Sequence, residues 1–194
     1  GGMTERSDES DEQRRIARAT LPEGLRRETL AVRTALAPSQ HGENSEALFL
    51  TSAYVQPDAE TMARRFRDSE DFTYSRTSNP TVRSFEARLA AMEGTEAAIA
   101  TSSGMSAILM LGMGLLKSGD HVICSRSVFG STINLFAKEF AKFGVRTSFV
   151  SQTDVAEWRA ALEPGTKLLF AETPTNPLTD ICDIRALADL AHEA

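Results

Sequence analysis

The chain has 194 residues, of which 21 are Lys or Arg and 27 Asp or Glu, for a formal charge of −6. That length holds one ordinary domain with a sizeable core, or one large domain plus an arm, and a hydrophobic content of 41% is far from the composition of disorder. The acidic balance, without a basic cluster, argues against nucleic acid as the main partner; the longest apolar run, Ile108–Leu116, is too short for a bilayer; and two cysteines, Cys124 and Cys182, are too few for a disulfide framework.

Gly1-Gly2 ahead of Met3 reads as a tag scar, and the charge-rich stretch to residue 24 as a mobile tail that includes the solvated acidic run Glu5–Glu12. Nothing at the start has the pattern of a secretory leader, so a cytoplasmic location is expected. From Leu25 to Gln56 the pattern is mixed, with a strand-like patch at Leu48–Val55, and Asp58 is placed to cap a short helix over 59–67. A loop over 68–79 leads to Pro80, which suits the first position of a helix closed by Gly94. Between them Val82, Phe85, Leu89 and Met92 recur at helical spacing.

Regular alternation follows. Strands are expected at 97–101, 121–125, 145–150 and 167–171, and helices at 104–117, 131–143, 154–162 and 184–192. The helix over 104–117, with Met105, Met110 and Met113, is apolar all round and is expected to be buried. Trp158 and Leu162 form one packed face. This order predicts an α/β fold, a mostly parallel sheet with helices on both faces, preceded by an N-terminal arm. The segments are 1–24 as tail, 25–79 as arm and ligand-reaching loop, and 80–194 as the first part of the α/β domain. Because the last helix ends without a capping residue, the domain is expected to continue past Ala194.

In such a sheet, ligands bind beyond the carboxyl ends of the strands. Thr101-Ser-Ser-Gly-Met105 precedes a helix, where small residues and free N–H groups favour an anion, although Ser103 can equally be an ordinary N-cap. Phe129 offers a flat face for a planar ring, or else a plug under the next helix. In Glu172-Thr-Pro-Thr-Asn-Pro177 two prolines fix the backbone, so Asn176 is held for a ligand or for its own turn. Tyr74 and Arg76, two apart in an extended segment, point the same way; Arg can grip a phosphate by its fork while the phenol donates a further bond. His41, His121 and His192 lack the spacing of metal ligands.

Tyr74-Ser-Arg76 with Asn79-Pro-Thr81, Ser103-Gly-Met105 and Glu172–Pro177, in this order, resemble the Cys/Met-metabolism group of pyridoxal 5'-phosphate (PLP) enzymes, a family of fold-type I transferases. The resemblance implies that Ser103, Gly104 and Met105 bind the cofactor phosphate, that Phe129 stacks on the pyridine ring and that Asn176 bonds near the 3'-oxygen. It also implies that Tyr74 and Arg76 reach the cofactor phosphate of a neighbouring subunit, within a dimer of a homotetramer.

Phe129 within Val128–Thr132, Ser131 where the methionine gamma-lyases carry Cys, and Glu43–Ser52 resemble the sulfhydrylase branch. That branch implies sulfide replacing succinate on O-succinyl-L-homoserine, an amino-acid substrate, to give L-homocysteine for methionine biosynthesis. Cystathionine gamma-synthase chemistry is the alternative, and a non-catalytic phosphate-binding module or a degenerate paralogue are further ones. The family's Schiff-base Lys is expected beyond Ala194, since Lys117, Lys138, Lys142 and Lys167 lie on predicted helices or at the far end of a strand. The carboxylate that pairs with the pyridine nitrogen is expected beyond Ala194 as well.

Overall fold

The computed structural model describes residues 21–36, 41–68 and 72–194. The tail over 1–24 lies outside the described residues up to residue 20, as do the acidic run Glu5–Glu12 and residues 69–71 of the loop. The chain divides into two compact units, Gly1–Ala100 and Thr101–Ala194.

In the first unit, helix α1 (Arg27–Arg33) occupies part of the stretch whose pattern is mixed, and α2 (Ala59–Asp68) follows Asp58, which accepts from the Thr61 N–H at 2.6 Å. Helix α3 (Pro80–Glu93) starts on Pro80, is capped by the Asn79 side chain and ends at Gly94 with φ 68, a left-handed turn that glycine takes without a Cβ clash. Two arginines fix α1 and its following turn to α3. Arg27 donates twice to the Met92 carbonyl, and Arg88 donates to the Thr34 carbonyl while forking onto Glu46 at 2.6 and 2.7 Å. That fork holds the Glu46 carboxyl below its ordinary pKa.

The expected apolar stripe of α3 is not its buried face: Ser84 and Ala90 are buried, whereas Phe85 is 58% exposed. Leu48–Val55 is extended but forms no ladder; its only pairing is a single antiparallel bridge from Ala53 to Tyr74. Residues 97–101 form no strand either. The Ala100 N–H is satisfied by the Glu86 carboxylate at 2.7 Å rather than by a neighbouring strand.

The second unit is built on three parallel strands, β1 (His121–Ser125), β2 (Arg146–Val150) and β3 (Thr166–Phe170), in the order β2-β1-β3. The period-two alternation of strands divides their side chains between two cores. Val122 and Cys124 pack with Val128, Phe136, Phe140 and Val145 on one face; Ile123 and Val150 pack with Trp158, Cys182, Leu187 and Leu190 on the other. Burial pushes the Cys124 thiol up to about 12, so it behaves as a small apolar group.

Helix α4 (Gly104–Leu115) precedes β1. After β1, α5 (Gly130–Asn134) continues through one wide turn, Leu135–Glu139, and a tight one, Phe140–Phe143. Helices α6 (Val155–Ala160), capped by Asp154, and α7 (Ile184–Glu193), capped by Asp183, cover the opposite face. Gly112 lies against the Phe140 ring, where a Cβ would come within 2.1 Å of it.

The expectation that α4 is buried is corrected. Only Gly112 is buried, Met105 is half-buried, and Met110 and Met113 are exposed. A three-stranded sheet covers one narrow stripe of this helix, through Ile108 on the first core, and has no strand beneath the rest. Lys117 lies past the end of α4 rather than on it.

His121, at the entrance of β1, is buried between two hydroxyls: Ser148 Oγ is 2.9 Å from Nε2 and Thr166 Oγ1 is 2.9 Å from Nδ1. Thr166 Oγ1 also accepts from the Glu163 N–H at 3.1 Å. Burial holds the imidazole pKa below its ordinary 6.5 and nearby Arg146 lowers it further, while Glu163, ion-paired to Arg146, pulls against both. A depressed histidine gives stability that is complete above about pH 6.5 and is lost as the pH falls towards the folded value. The expected result is a lower urea midpoint at pH 5.5 than at 7.5, with a smaller difference in His121→Gln. Equal differences in the two proteins would refute this assignment.

Candidate functional site

All three strands are parallel, so their C-terminal ends share one edge, and the loops leaving that edge carry Phe129 and Asn176. At the start of α4, Ser103 Oγ accepts from the Ser106 N–H at 3.1 Å and lies 2.9 Å from the Ser106 hydroxyl; Thr101 Oγ1 donates to the Ser103 carbonyl at 2.8 Å. The N-cap reading of Ser103 is therefore observed. It leaves the N–H groups of Gly104 and Met105 without a protein acceptor among the described residues, and a Cβ on Gly104 would meet nothing within 4 Å. An open turn with free N–H groups at the positive end of a helix suits a phosphate.

Phe129 follows β1 and is 50% exposed, so it is not a plug under the next helix. Thr132 Oγ1, one turn into α5, lies 3.8 Å from Met105 Sδ, which brings this loop beside the start of α4. Asn176 lies in the loop after β3 between Thr175, which is buried, and Pro177, and the peptide bonds before both Pro174 and Pro177 are cis. The loop is pinned by the Asp180 N–H to Thr175 Oγ1 at 2.9 Å and by the Cys182 N–H to Thr173 Oγ1 at 3.1 Å. The exposed Asn176 amide makes no hydrogen bond to the described residues, in contrast to the reading in which it serves its own turn.

In the first unit, Tyr74 and Arg76 are brought together by a different backbone from the extended one expected. The Thr77 and Ser78 N–H groups both donate to the Tyr74 carbonyl, making a tight turn. The Arg76 guanidinium lies over the Tyr74 ring, 4.8 Å from its centroid. Arg76 lines a cleft of about 440 Å³ together with Arg65, Arg83, Ser75 and Glu86. Asn79 is buried beneath this turn: its Nδ2, with two protons to donate, lies 2.9–3.2 Å from Phe49 O, Tyr54 Oη and Ser75 Oγ, and its carbonyl accepts from the Thr81 N–H. None of the four lysines stands at the C-terminal strand edge. Lys117 precedes β1, Lys138 and Lys142 lie along the returning helix, and Lys167 is near the start of β3. Among the described residues no three His, Cys, Asp or Glu are placed to hold a metal ion, and no helix is long and apolar enough to cross a membrane.

Sequence reasoning gave no role to two further residues at this edge, Glu172 and Gln152. Glu172 lies inside a stretch singled out for its prolines, whereas Gln152 carries no sequence signal.

Known proteins are similar to this chain in sequence and in fold. An O-succinylhomoserine sulfhydrylase of Pseudomonas aeruginosa is 54% identical over 171 residues, 88% of this chain and 42% of that protein. An L-methionine gamma-lyase of Fusobacterium nucleatum subsp. polymorphum is 36% identical over 165 residues, 84% of this chain and 42% of that one. Among solved structures, an O-acetylhomoserine (thiol)-lyase of Campylobacter jejuni with N'-pyridoxyl-lysine-5'-monophosphate superposes with a TM-score of 0.78 at 30% identity, covering 88% of this chain and 42% of that chain. The chain thus spans 37 to 43% of the length of these curated relatives. Since residues 28–194 also match the Cys/Met metabolism PLP-dependent enzyme family as a whole, from the second residue of α1 to the last residue of the chain, the chain belongs to that family.

Proposed function

We propose that these residues form the amino-terminal part of a PLP-dependent enzyme in which sulfide displaces succinate from the gamma-carbon of O-succinyl-L-homoserine, giving L-homocysteine and succinate. The observation that carries this reading is the 54% identity to a protein named for that reaction, supported by a second sulfhydrylase, of Mycobacterium tuberculosis, at 41%. The lyases fall lower, at 33 to 39%.

The cofactor fits the geometry at two points. The free N–H groups of Gly104 and Met105, with the Ser103 cap, suit its phosphate, and the exposed face of Phe129 suits its ring. Asn176 is available to the 3'-oxygen. Tyr74 and Arg76 serve the phosphate of a neighbouring subunit, which makes the working form at least a dimer, within a tetramer. Bound PLP supplies an electron sink that lets a proton leave carbon beside the amino group and a gamma-substituent depart. This chain's own residues orient and neutralise the cofactor. In this reading the lysine that holds it comes from outside these 194 residues, because none of the four lysines stands at the strand edge. In this reading residues 25–79 are the arm, 80–194 the first part of the cofactor domain, and the enzyme is cytoplasmic.

The test is product analysis of the full-length enzyme given PLP and O-succinyl-L-homoserine with sulfide or cysteine. Homocysteine from sulfide is the expected main product. Cystathionine from cysteine as the faster reaction, or ammonia released from methionine, overturns the assignment. Residues 1–194 alone should turn over nothing, and homocysteine formed by them would overturn the placement of the lysine.

A further inference from the structure

The three loops at the strand edge are tied together by two side chains that the cofactor reading does not use. The Phe129 N–H donates to Glu172 Oε2 at 3.1 Å, and the Glu172 carbonyl accepts from Gln152 Nε2 at 2.7 Å. Phe129 follows β1, Gln152 follows β2 and Glu172 follows β3, so this one chain of bonds spans all three strand ends.

We infer that Glu172, itself held by Gln152, is a positioning residue that fixes the backbone of Phe129 so that its half-exposed ring faces the cofactor. The inference rests on the reading of Phe129 as the ring-stacking residue.

Three observations carry it. First, the Phe129 ring pairs with no other aromatic ring among the described residues, and half of its surface is exposed. The direction in which this side chain leaves the main chain is set by its backbone. Second, that backbone is fixed on both sides. The Phe129 carbonyl accepts from the Thr132 and Ile133 N–H groups at 2.9 and 3.2 Å, so the bond from Glu172 completes the clamp. A carboxylate accepting from a backbone N–H is among the stronger hydrogen bonds, and it also complements the start of the helix that begins at Gly130.

Third, Gln152 is only 4% exposed, and its Oε1 has no partner among the described residues. A buried acceptor left unpaired destabilises a fold, and an apolar side chain of similar shape would avoid that cost. Gln152 thus serves its single bond to Glu172 and not the core.

Two readouts test the brace. The first is hydrogen exchange of the Phe129 amide in the protein without cofactor, which needs no ligand. Exchange is expected to rise about tenfold or more in Glu172→Ala, with recovery in Glu172→Gln, which keeps an acceptor oxygen. Gln152→Ala should give a smaller rise, and this variant decides the matter if Glu172→Ala fails to fold. Wild-type exchange in the folded variants overturns the proposal.

The second readout is binding of pyridoxine 5'-phosphate, which lacks the aldehyde and so needs no lysine. Glu172→Ala should weaken binding about fivefold to tenfold in the wild-type background and leave it unchanged once Phe129 is alanine. A cost of Glu172→Ala that persists in Phe129→Ala overturns the brace. Equal binding by wild type and Phe129→Ala overturns instead the stacking role, with the exchange result still deciding the brace.

Discussion

Trp158→Ala is expected to cost the second unit about 3–5 kcal/mol, a large share of the roughly 5–15 kcal/mol by which a domain is stable. The indole is wholly buried, and it joins the Ile123 and Val150 side chains of the sheet to Leu187 and Leu190 of α7. Its Nε1–H donates to the Ser151 carbonyl at 2.7 Å, which ties α6 to the end of β2. Helix α6 runs only from Val155 to Ala160, far too short to persist without tertiary packing, so loss of the indole removes its main anchor. Truncation leaves both a cavity and a part-buried carbonyl without its partner. Trp158→Phe keeps most of the volume and loses the hydrogen bond, and should cost about 1–2 kcal/mol. The chain has one tryptophan, so urea unfolding should be followed by circular dichroism. An unfolding free energy for Trp158→Ala within about 1 kcal/mol of wild type would show that the second core does not depend on this residue.

What could be read from the sequence follows from where the local signal was complete. The run His121–Ser125 is flanked by turn residues and buried on both faces, so its strand needed no distant information. Pro80 and Gly94 marked both ends of α3 because each satisfies a terminal backbone requirement by itself.

The failures share a cause. Residues 97–101 look apolar and extended, but a strand requires a partner, and the Ala100 N–H met the Glu86 carboxylate instead. Helix α4 is apolar all round, which announces that something must cover it, yet the sequence does not say what, and three strands cover only part. Asn79 was read only as the end of a loop and as part of a motif with Pro80; its role under the Tyr74 turn depends on Phe49 and Tyr54, brought in from upstream. The Gln152–Glu172–Phe129 chain was invisible because its members are 20 and 43 residues apart. Motifs reveal groups that touch a ligand more readily than the groups that aim them.

Arg76→Ala is expected to weaken PLP binding by the assembled enzyme roughly 10- to 100-fold, the loss that follows from removing a charge-assisted fork on a dianionic phosphate. The structure prepares the guanidinium for that task. It lies 4.8 Å from the Tyr74 ring centroid, which limits its freedom before any anion arrives, and the turn beneath it is fixed by the buried amide of Asn79. Arg83, on the same cleft, lies over the Phe72 ring instead, 4.6 Å from the centroid. Arg76→Lys should recover only part of the loss, since a point charge lacks the planar fork and stacks less well on the phenol. Tyr74→Phe keeps the ring under the guanidinium and removes one hydroxyl, so a change of roughly 2- to 10-fold is expected. Equilibrium dialysis against PLP measures all three. Wild-type affinity in Arg76→Ala would remove this turn from the cofactor site and would leave the Ser103–Met105 turn as the phosphate's only holder in the chain.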